Sequence, residues 1–155
     1  MDDVSIRVEG IEEARRVMTQ LPDAAQRRVM RPSLRRAGRI IVNAIKARAT
    51  SRRVRKAATT REARGERISL TGLLIGFRRG PGRLAHLLEK GSKVRSTSAG
   101  ANRGAMPAKP FFFEAIRAAG SAAAAVLRSE LATRLAVEAR RFASGQLDSK
   151  GRIRR

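Results

Sequence analysis

The sequence of 155 residues has no cysteine, tryptophan or tyrosine, and it has only five phenylalanines and one histidine. Without cysteine it can form neither a disulfide nor a thiolate metal site, and a single histidine cannot build a tetrahedral zinc site. No segment approaches the roughly 18 consecutive apolar residues of a membrane span. Residues 1–10 begin with acidic side chains, whereas a signal peptide begins with basic ones. We therefore expect a soluble protein with an aliphatic core and no metal or other cofactor.

Negative charge is also scarce, since 13 Asp and Glu face 35 Lys and Arg, a formal net charge of +22. Such an excess on a small chain must meet phosphate, an acidic protein surface or solvent counterions. A coding bias toward arginine and alanine would raise the total. It would not explain why the basic residues cluster in particular segments.

The hydrophobic pattern predicts one α+β domain over residues 1–145, with a small antiparallel sheet packed by two long helices and with two extended basic loops. The predicted helices are at 11–21, 23–49 and 111–144, and the predicted strands are one at 4–10 and a pair at 68–77. Residues 50–66 are expected to be a mobile basic loop or a hairpin extension, and residues 92–106 a second, flexible basic loop. The segment at 83–92 is ambiguous between helix and strand, and a basic tail is expected at 146–155. Pro32 lies inside the second helix, whose apolar stripe continues across it, which favours one kinked helix. The strand pair is expected to bend around Gly72 or Gly76.

Candidate catalytic groups are few. His86 and Glu89 could share a helix face and act as an acid–base pair, but no nucleophile or third orienting group accompanies them. The segment "GFRRGPG" has neither the Walker spacing nor the three-glycine dinucleotide turn, which argues against a bound nucleotide. We expect His86 to be structural or to lie at an interface.

The basic segments suit nucleic acid better than they suit a small substrate. The residues available to neutralise phosphates are Arg52, Arg53, Arg55, Lys56, Arg61 and Arg64 in the first loop and Lys93, Arg95 and Arg103 in the second. Apart from the clustered Phe111, Phe112 and Phe113, there are no aromatic side chains on which bases could stack. Any contact with DNA would therefore involve its backbone and not its sequence.

The word "KPFFFEAI" supports two interpretations. In the first, Pro110 lies in the first turn of the long helix and the phenylalanines attach that turn to the sheet. In the second, three consecutive aromatic side chains cannot all enter one core, so at least one of them faces a partner subunit. Both interpretations stay open at the level of sequence.

Taken together, "AHLLEKGS" and "MPAKPFFFEAI" resemble the signature of the gene-product-10-like family of head-to-tail joining proteins of tailed bacteriophages. That signature is an alanine, a histidine or tyrosine, two apolar residues, glutamate, an aromatic residue, glycine and a threonine or serine. A variable loop and a proline-alanine-x-proline-phenylalanine word follow. The matching residues are Ala85, His86, Leu87, Leu88, Glu89, Gly91, Ser92, Pro107, Ala108, Pro110 and Phe111. Lys90 stands in place of the aromatic residue, and the family's aspartate-threonine-glycine-x-leucine word is missing after the second helix.

The resemblance implies a non-enzymatic virion protein that forms a ring in the neck, expected to be a hexamer, between the DNA-filled head and the tail. Its implied partners are other copies of itself, a head-closure or connector protein, and a tail terminator or tail-tube protein, with DNA in the axial channel. The basic residues of the two loops would then either line this channel or bind acidic faces of adjacent rings. The implied subunit or ring interface contains His86, Glu89, Gly91, Ser92, Pro107, Pro110, Phe111, Phe112 and Phe113. The two words would then be the departure and return of one loop that meets neighbouring subunits.

Two rival functions remain at this level. A free cytoplasmic DNA-binding protein would use the same basic residues to contact phosphates without reading bases. An enzyme would need His86 and Glu89 together in one solvent-open cleft.

Overall fold

The computed structural model describes residues 16, 18, 20–63 and 72–146. Its elements, in chain order, are α1 (Asp23–Arg48), α2 (Arg52–Ala57), β1 (Ala58–Ala63), β2 (Gly72–Phe77), α3 (Pro81–Lys90) and α4 (Phe112–Ala143). The α+β prediction of a small antiparallel sheet packed by long helices is confirmed. The strand predicted at 4–10, most of the helix predicted at 11–21 and nearly all of the basic tail lie outside the described residues.

Helix α1 follows the apolar stripe predicted for it. Asp23 lies in its first turn and Lys46 and Arg48 in its last, which matches each charge to the helix dipole. Buried positions recur at helical spacing from Ala25 to Ile45. The helix is continuous through Pro32, so the prediction of one helix across this proline is confirmed.

Helix α4 supplies the other half of the core. Its buried residues include Ala115, Ala119, Ala123, Leu127 and Leu131, and this face packs against α1. Because most of these side chains are methyl groups, the two helices can approach closely, and the core is aliphatic as the composition predicts.

The sheet consists of β1 and β2, paired antiparallel from Ala58 opposite Phe77 to Ala63 opposite Gly72. One face lies on α1, where Gly38 leaves room for the Leu73 side chain. A methyl group at Gly38 would collide with the end of that side chain. Because these atoms belong to the end of a flexible side chain, Leu73 would have to change its conformation to admit a side chain at position 38.

Two predictions for the middle of the chain are wrong. Of the two alternatives for the 50–66 segment, the mobile loop is wrong for the described part, which forms α2 and β1 and buries Val54, Ala57 and Ala58. The antiparallel pairing of β1 with β2 agrees instead with the hairpin alternative. The strand pair does not lie within 68–77, because the partner of β2 is β1. The physical reason is that only three small apolar side chains anchor this arginine-rich stretch. Three buried residues are too few to show a helical or strand periodicity in the sequence.

The ambiguous segment before the second loop is a helix, α3, with Pro81 in its first turn. It buries Ala85 and packs Leu84 and Leu88 against the core. No helix within the described ranges is long and apolar enough to cross a membrane.

Ion pairs between arginines of α1 and glutamates of α4 join these two helices. The Glu138 carboxylate on α4 is almost wholly buried, with 4% of its side chain exposed. It accepts hydrogen bonds from Arg28 Nη2 at 2.7 Å and from Arg141 Nη1 at 2.8 Å. Arg36 on α1 similarly pairs with Glu130 on α4 at 2.7 Å.

We expect the Glu138 cluster to make part of the stability depend on pH. Hydrogen bonds from Arg28 hold the pKa of Glu138 below its ordinary value, although burial opposes this. A carboxyl group with a lowered folded-state pKa adds stability above its unfolded pKa, about 4.3, and this stability is lost as the pH falls through the folded-state pKa. Urea unfolding of Glu138→Gln should show a deficit of roughly 1 to 2 kcal/mol at neutral pH. That deficit should shrink below about pH 4.3 as the native carboxylate is protonated, and a deficit that is constant with pH would contradict the assignment.

Candidate functional site: an anchored basic ribbon

The chain between α3 and α4 is held by a carboxylate placed on a helix N-terminus. Glu89 Oε2 accepts hydrogen bonds from the backbone N–H groups of Phe111 and Phe112, each at 2.9 Å, and Oε1 accepts one from Phe113 at 3.4 Å. The first N–H groups of any helix lack an intrahelical acceptor, and the residue before α4 provides no side-chain cap. Glu89 therefore caps α4 from a different helix.

Gly91 completes this anchor. Its φ of 73° and ψ of −174° lie in a region that is essentially restricted to glycine. A Cβ atom on Gly91 would lie 2.6 Å from the Met106 carbonyl oxygen and 2.8 Å from the Ala108 nitrogen. Lys109 N–H donates to the Leu88 carbonyl at 2.8 Å. These contacts bring the two sequence words together at the base of the segment that joins them.

The loop itself is an irregular antiparallel ribbon over residues 92–106. Ser92 pairs with Met106 and Ser96 with Asn102, and Thr97 N–H donates to the Ala101 carbonyl at 2.9 Å near the tip. The exposed basic residues Lys93, Arg95 and Arg103 lie along it, together with Val94, which is 65% exposed. The ribbon therefore presents positive charge and one apolar side chain on a backbone that is hydrogen-bonded to itself.

The three phenylalanines mainly attach α4 to the sheet. The Phe77 ring of β2 lies 6.0 Å from that of Phe111 and 5.6 Å from that of Phe112, centroid to centroid. Phe111 is only 3% exposed, so the interface role predicted for it is wrong: its ring is already buried in its own chain. Phe112 and Phe113 are half-buried, and Pro107 and Pro110 are exposed, so these four keep surface for a partner.

The proposed acid–base pair does not assemble. Both carboxylate oxygens of Glu89 are occupied by backbone N–H groups of α4, while His86 lies exposed on the surface of α3. No cluster of metal-ligating side chains occurs in the part of the chain that the structure describes.

The first group of predicted basic residues divides between two elements. Arg52, Arg53, Arg55 and Lys56 are all exposed on α2, and Arg61 is exposed on β1 opposite Leu74. Arg55 Nη2 donates to the Ala49 carbonyl at 3.1 Å and so satisfies the end of α1. Arg64 lies outside the described residues.

Sequence reasoning missed three basic residues beside α2. Arg78 and Arg79 follow β2 and Arg83 lies in α3, and all three are exposed. Arg78 N–H donates to the Ala57 carbonyl at 3.0 Å, which holds this turn against the end of α2. The adjacent arginines of "GFRRGPG", Arg78 and Arg79, are a visible signal of positive charge in the sequence.

Comparison with models of protein families, with curated proteins and with solved structures finds no match to this chain. A function for this chain is therefore inferred from the geometry of the ribbon and its anchor, and from the short motifs that form them.

Proposed function

We propose that this chain is a structural neck protein of a tailed phage or phage-like particle, which forms a ring joining the head to the tail around an axial DNA channel. The observation that carries the proposal is the anchor itself. The two words that resemble the joining-protein family lie 14 residues apart along the ribbon between Ser92 and Met106, yet they meet through Glu89 and Gly91. Glu89, Gly91 and Ser92 thus hold the two ends of the ribbon together.

The mechanism would be binding without chemistry. Pinning both ends of the ribbon to α3 and α4 removes much of the conformational entropy that a free loop would lose when it orders on a partner. The ribbon would then contact a neighbouring subunit or ring with Val94 as an apolar contact and Lys93, Arg95 and Arg103 as charge contacts. Half-buried Phe112 and Phe113 and exposed His86, Pro107 and Pro110 lie near its base and would extend the same interface.

Replacing residues 93–105 with a short glycine-serine turn tests this role. Nearly all of these side chains are exposed, and none belongs to the buried core, so the domain should fold normally. In a lysate whose only copy of the gene carries this change, electron microscopy should show filled heads and tails that accumulate separately. A second variant, with Lys93, Arg95 and Arg103 all changed to Gln, keeps the backbone and separates the contribution of charge from that of shape.

A lysate that lacks this gene separates the neck role from the rival role of a free DNA-binding protein. Loss of a free DNA-binding protein would leave heads joined to tails. Joined particles in a lysate that lacks this gene altogether would overturn the proposed function.

A further inference from the structure

We infer that a second set of surface residues, distinct from those of the ribbon, is a site for the phosphate backbone of duplex DNA. We call it the basic patch and define it as Arg52, Arg53, Lys56, Arg78, Arg79 and Arg83. All six side chains are exposed. The inference deepens the proposed function, on which it rests for its biological setting, by naming DNA as the partner of this surface.

The fold brings the six residues together although they lie in two separate segments. Antiparallel pairing places the start of β1, Ala58, opposite the end of β2, Phe77. The residues before β1 therefore adjoin the residues after β2. The Arg78-to-Ala57 hydrogen bond closes this junction, and α2 packs against α3.

The inner face of α2 explains why its charges point outward. Val54 and Ala57 are buried three residues apart, which leaves Arg52 and Lys56, four residues apart, on the opposite side. Gly82 N–H donates to the Arg78 carbonyl at 3.0 Å, so the turn that carries Arg78 and Arg79 is also held. The charges are thus presented from an ordered backbone.

No carboxylate of the surrounding described segments neutralises the patch. Residues 51–63 and 72–109 contain 13 lysines and arginines but only two acidic residues, Glu62 and Glu89. Glu62 is already paired with Arg31 and Arg35 at 2.9 and 2.7 Å, and Glu89 is bound to the backbone of α4. Among the described residues, therefore, no carboxylate balances the patch, and its charge is available to a ligand or to solvent ions.

The surface chemistry favours phosphate over an acidic protein. Protein interfaces are built around apolar or aromatic anchors, and the large exposed apolar residues of the described chain are Leu74, Val94, Val137 and Phe142, none of them in the patch. A uniform cationic surface without exposed aromatic rings can neutralise phosphates but cannot stack or read bases. Binding should therefore be independent of DNA sequence and strongly dependent on salt.

Three double variants of the full chain, each losing two positive charges, test the inference. Arg52→Gln/Lys56→Gln and Arg78→Gln/Arg79→Gln remove patch residues, and Arg117→Gln/Arg128→Gln removes exposed α4 arginines as the matched control. Arg55 is left intact because its guanidinium binds the Ala49 carbonyl. Fluorescence anisotropy with a labelled DNA duplex is measured over a range of NaCl concentrations, and circular dichroism verifies folding.

Each patch variant should bind DNA about tenfold more weakly than the native chain. Its plot of log binding constant against log salt concentration should also be less steep by about 1.8, because each of the two lost phosphate contacts contributes roughly 0.9 to the slope. The control should change affinity about twofold or less, and two unrelated duplex sequences should bind equally. An equal loss in the control would show that only net charge matters, and this would overturn the site. Displacement of DNA by polyglutamate at matched charge would also overturn the site, because it would indicate an acidic protein partner. Either failure leaves the neck role intact, because that role is tested by head-to-tail joining.

Discussion

Replacing Gly91 with alanine is expected to destabilise the protein by about 3 kcal/mol, because two costs add at this position. The backbone conformation, with φ of 73° and ψ of −174°, costs a non-glycine residue roughly 1 to 3 kcal/mol. The new methyl group would also lie 2.6 Å from the Met106 carbonyl oxygen and 2.8 Å from the Ala108 nitrogen. Both are backbone atoms, so no side-chain rotation can relieve the overlap, and the return segment of the ribbon has to move.

Gly100→Ala is the matched control for this change. Gly100 also has a positive φ, 79°, but a Cβ atom there would meet nothing within 4 Å. Its cost should be limited to the backbone conformation, about 1 to 2 kcal/mol. Urea unfolding of both variants measures the difference, and hydrogen exchange at Lys109 N–H reports whether its bond to the Leu88 carbonyl is lost. Equal losses at the two glycines would show that the contact with Met106 and Ala108 does not constrain the fold.

The long helices could be predicted from sequence because their stabilising pattern is local. In α1 and α4, buried residues recur every three or four positions over many turns, and neither Pro32 nor Gly120 interrupts the stripe. The same reasoning failed at residues 50–63. There, helix and strand are stabilised by contacts with α1, α3 and β2, and the segment itself shows only Val54, Ala57 and Ala58 as buried apolar residues.

The candidate site could likewise be predicted only where the residues that form it are close together in the sequence. The loop ends were predicted because the motif residues are contiguous words and glycine and proline mark them. The contact between Glu89 and the start of α4 joins residues that are 22 to 24 positions apart, and no local period reports such a bond. The basic patch was missed because its two halves meet only through strand pairing, and the predicted partner of β2 was wrong.

Replacing Glu89 with alanine should cost about 2 to 3 kcal/mol, the second large effect expected in this chain. The carboxylate accepts three backbone N–H groups of α4, and alanine would leave them without an acceptor where the helix dipole concentrates positive potential. Glu89→Gln keeps the shape and one acceptor oxygen but loses the charge, so it should cost about half as much. Urea unfolding of the two variants gives the magnitudes, and hydrogen exchange at the Phe111, Phe112 and Phe113 amides localises the change.

Glu114→Ala provides the control, because Glu114 is an exposed carboxylate in the first turn of the same helix. It has the same charge and a similar position relative to the helix dipole, but the structure gives it no bond to the helix N–H groups. Its loss should cost only about 0.3 to 1 kcal/mol. If Glu89→Ala is no more costly than Glu114→Ala, Glu89 is not a cap. If Glu89→Ala is costly, the ribbon loses its fixed return at Phe111. Under the proposed neck role, head-to-tail joining should then fall even at temperatures where the domain remains folded, because an unanchored ribbon must be ordered anew at each contact.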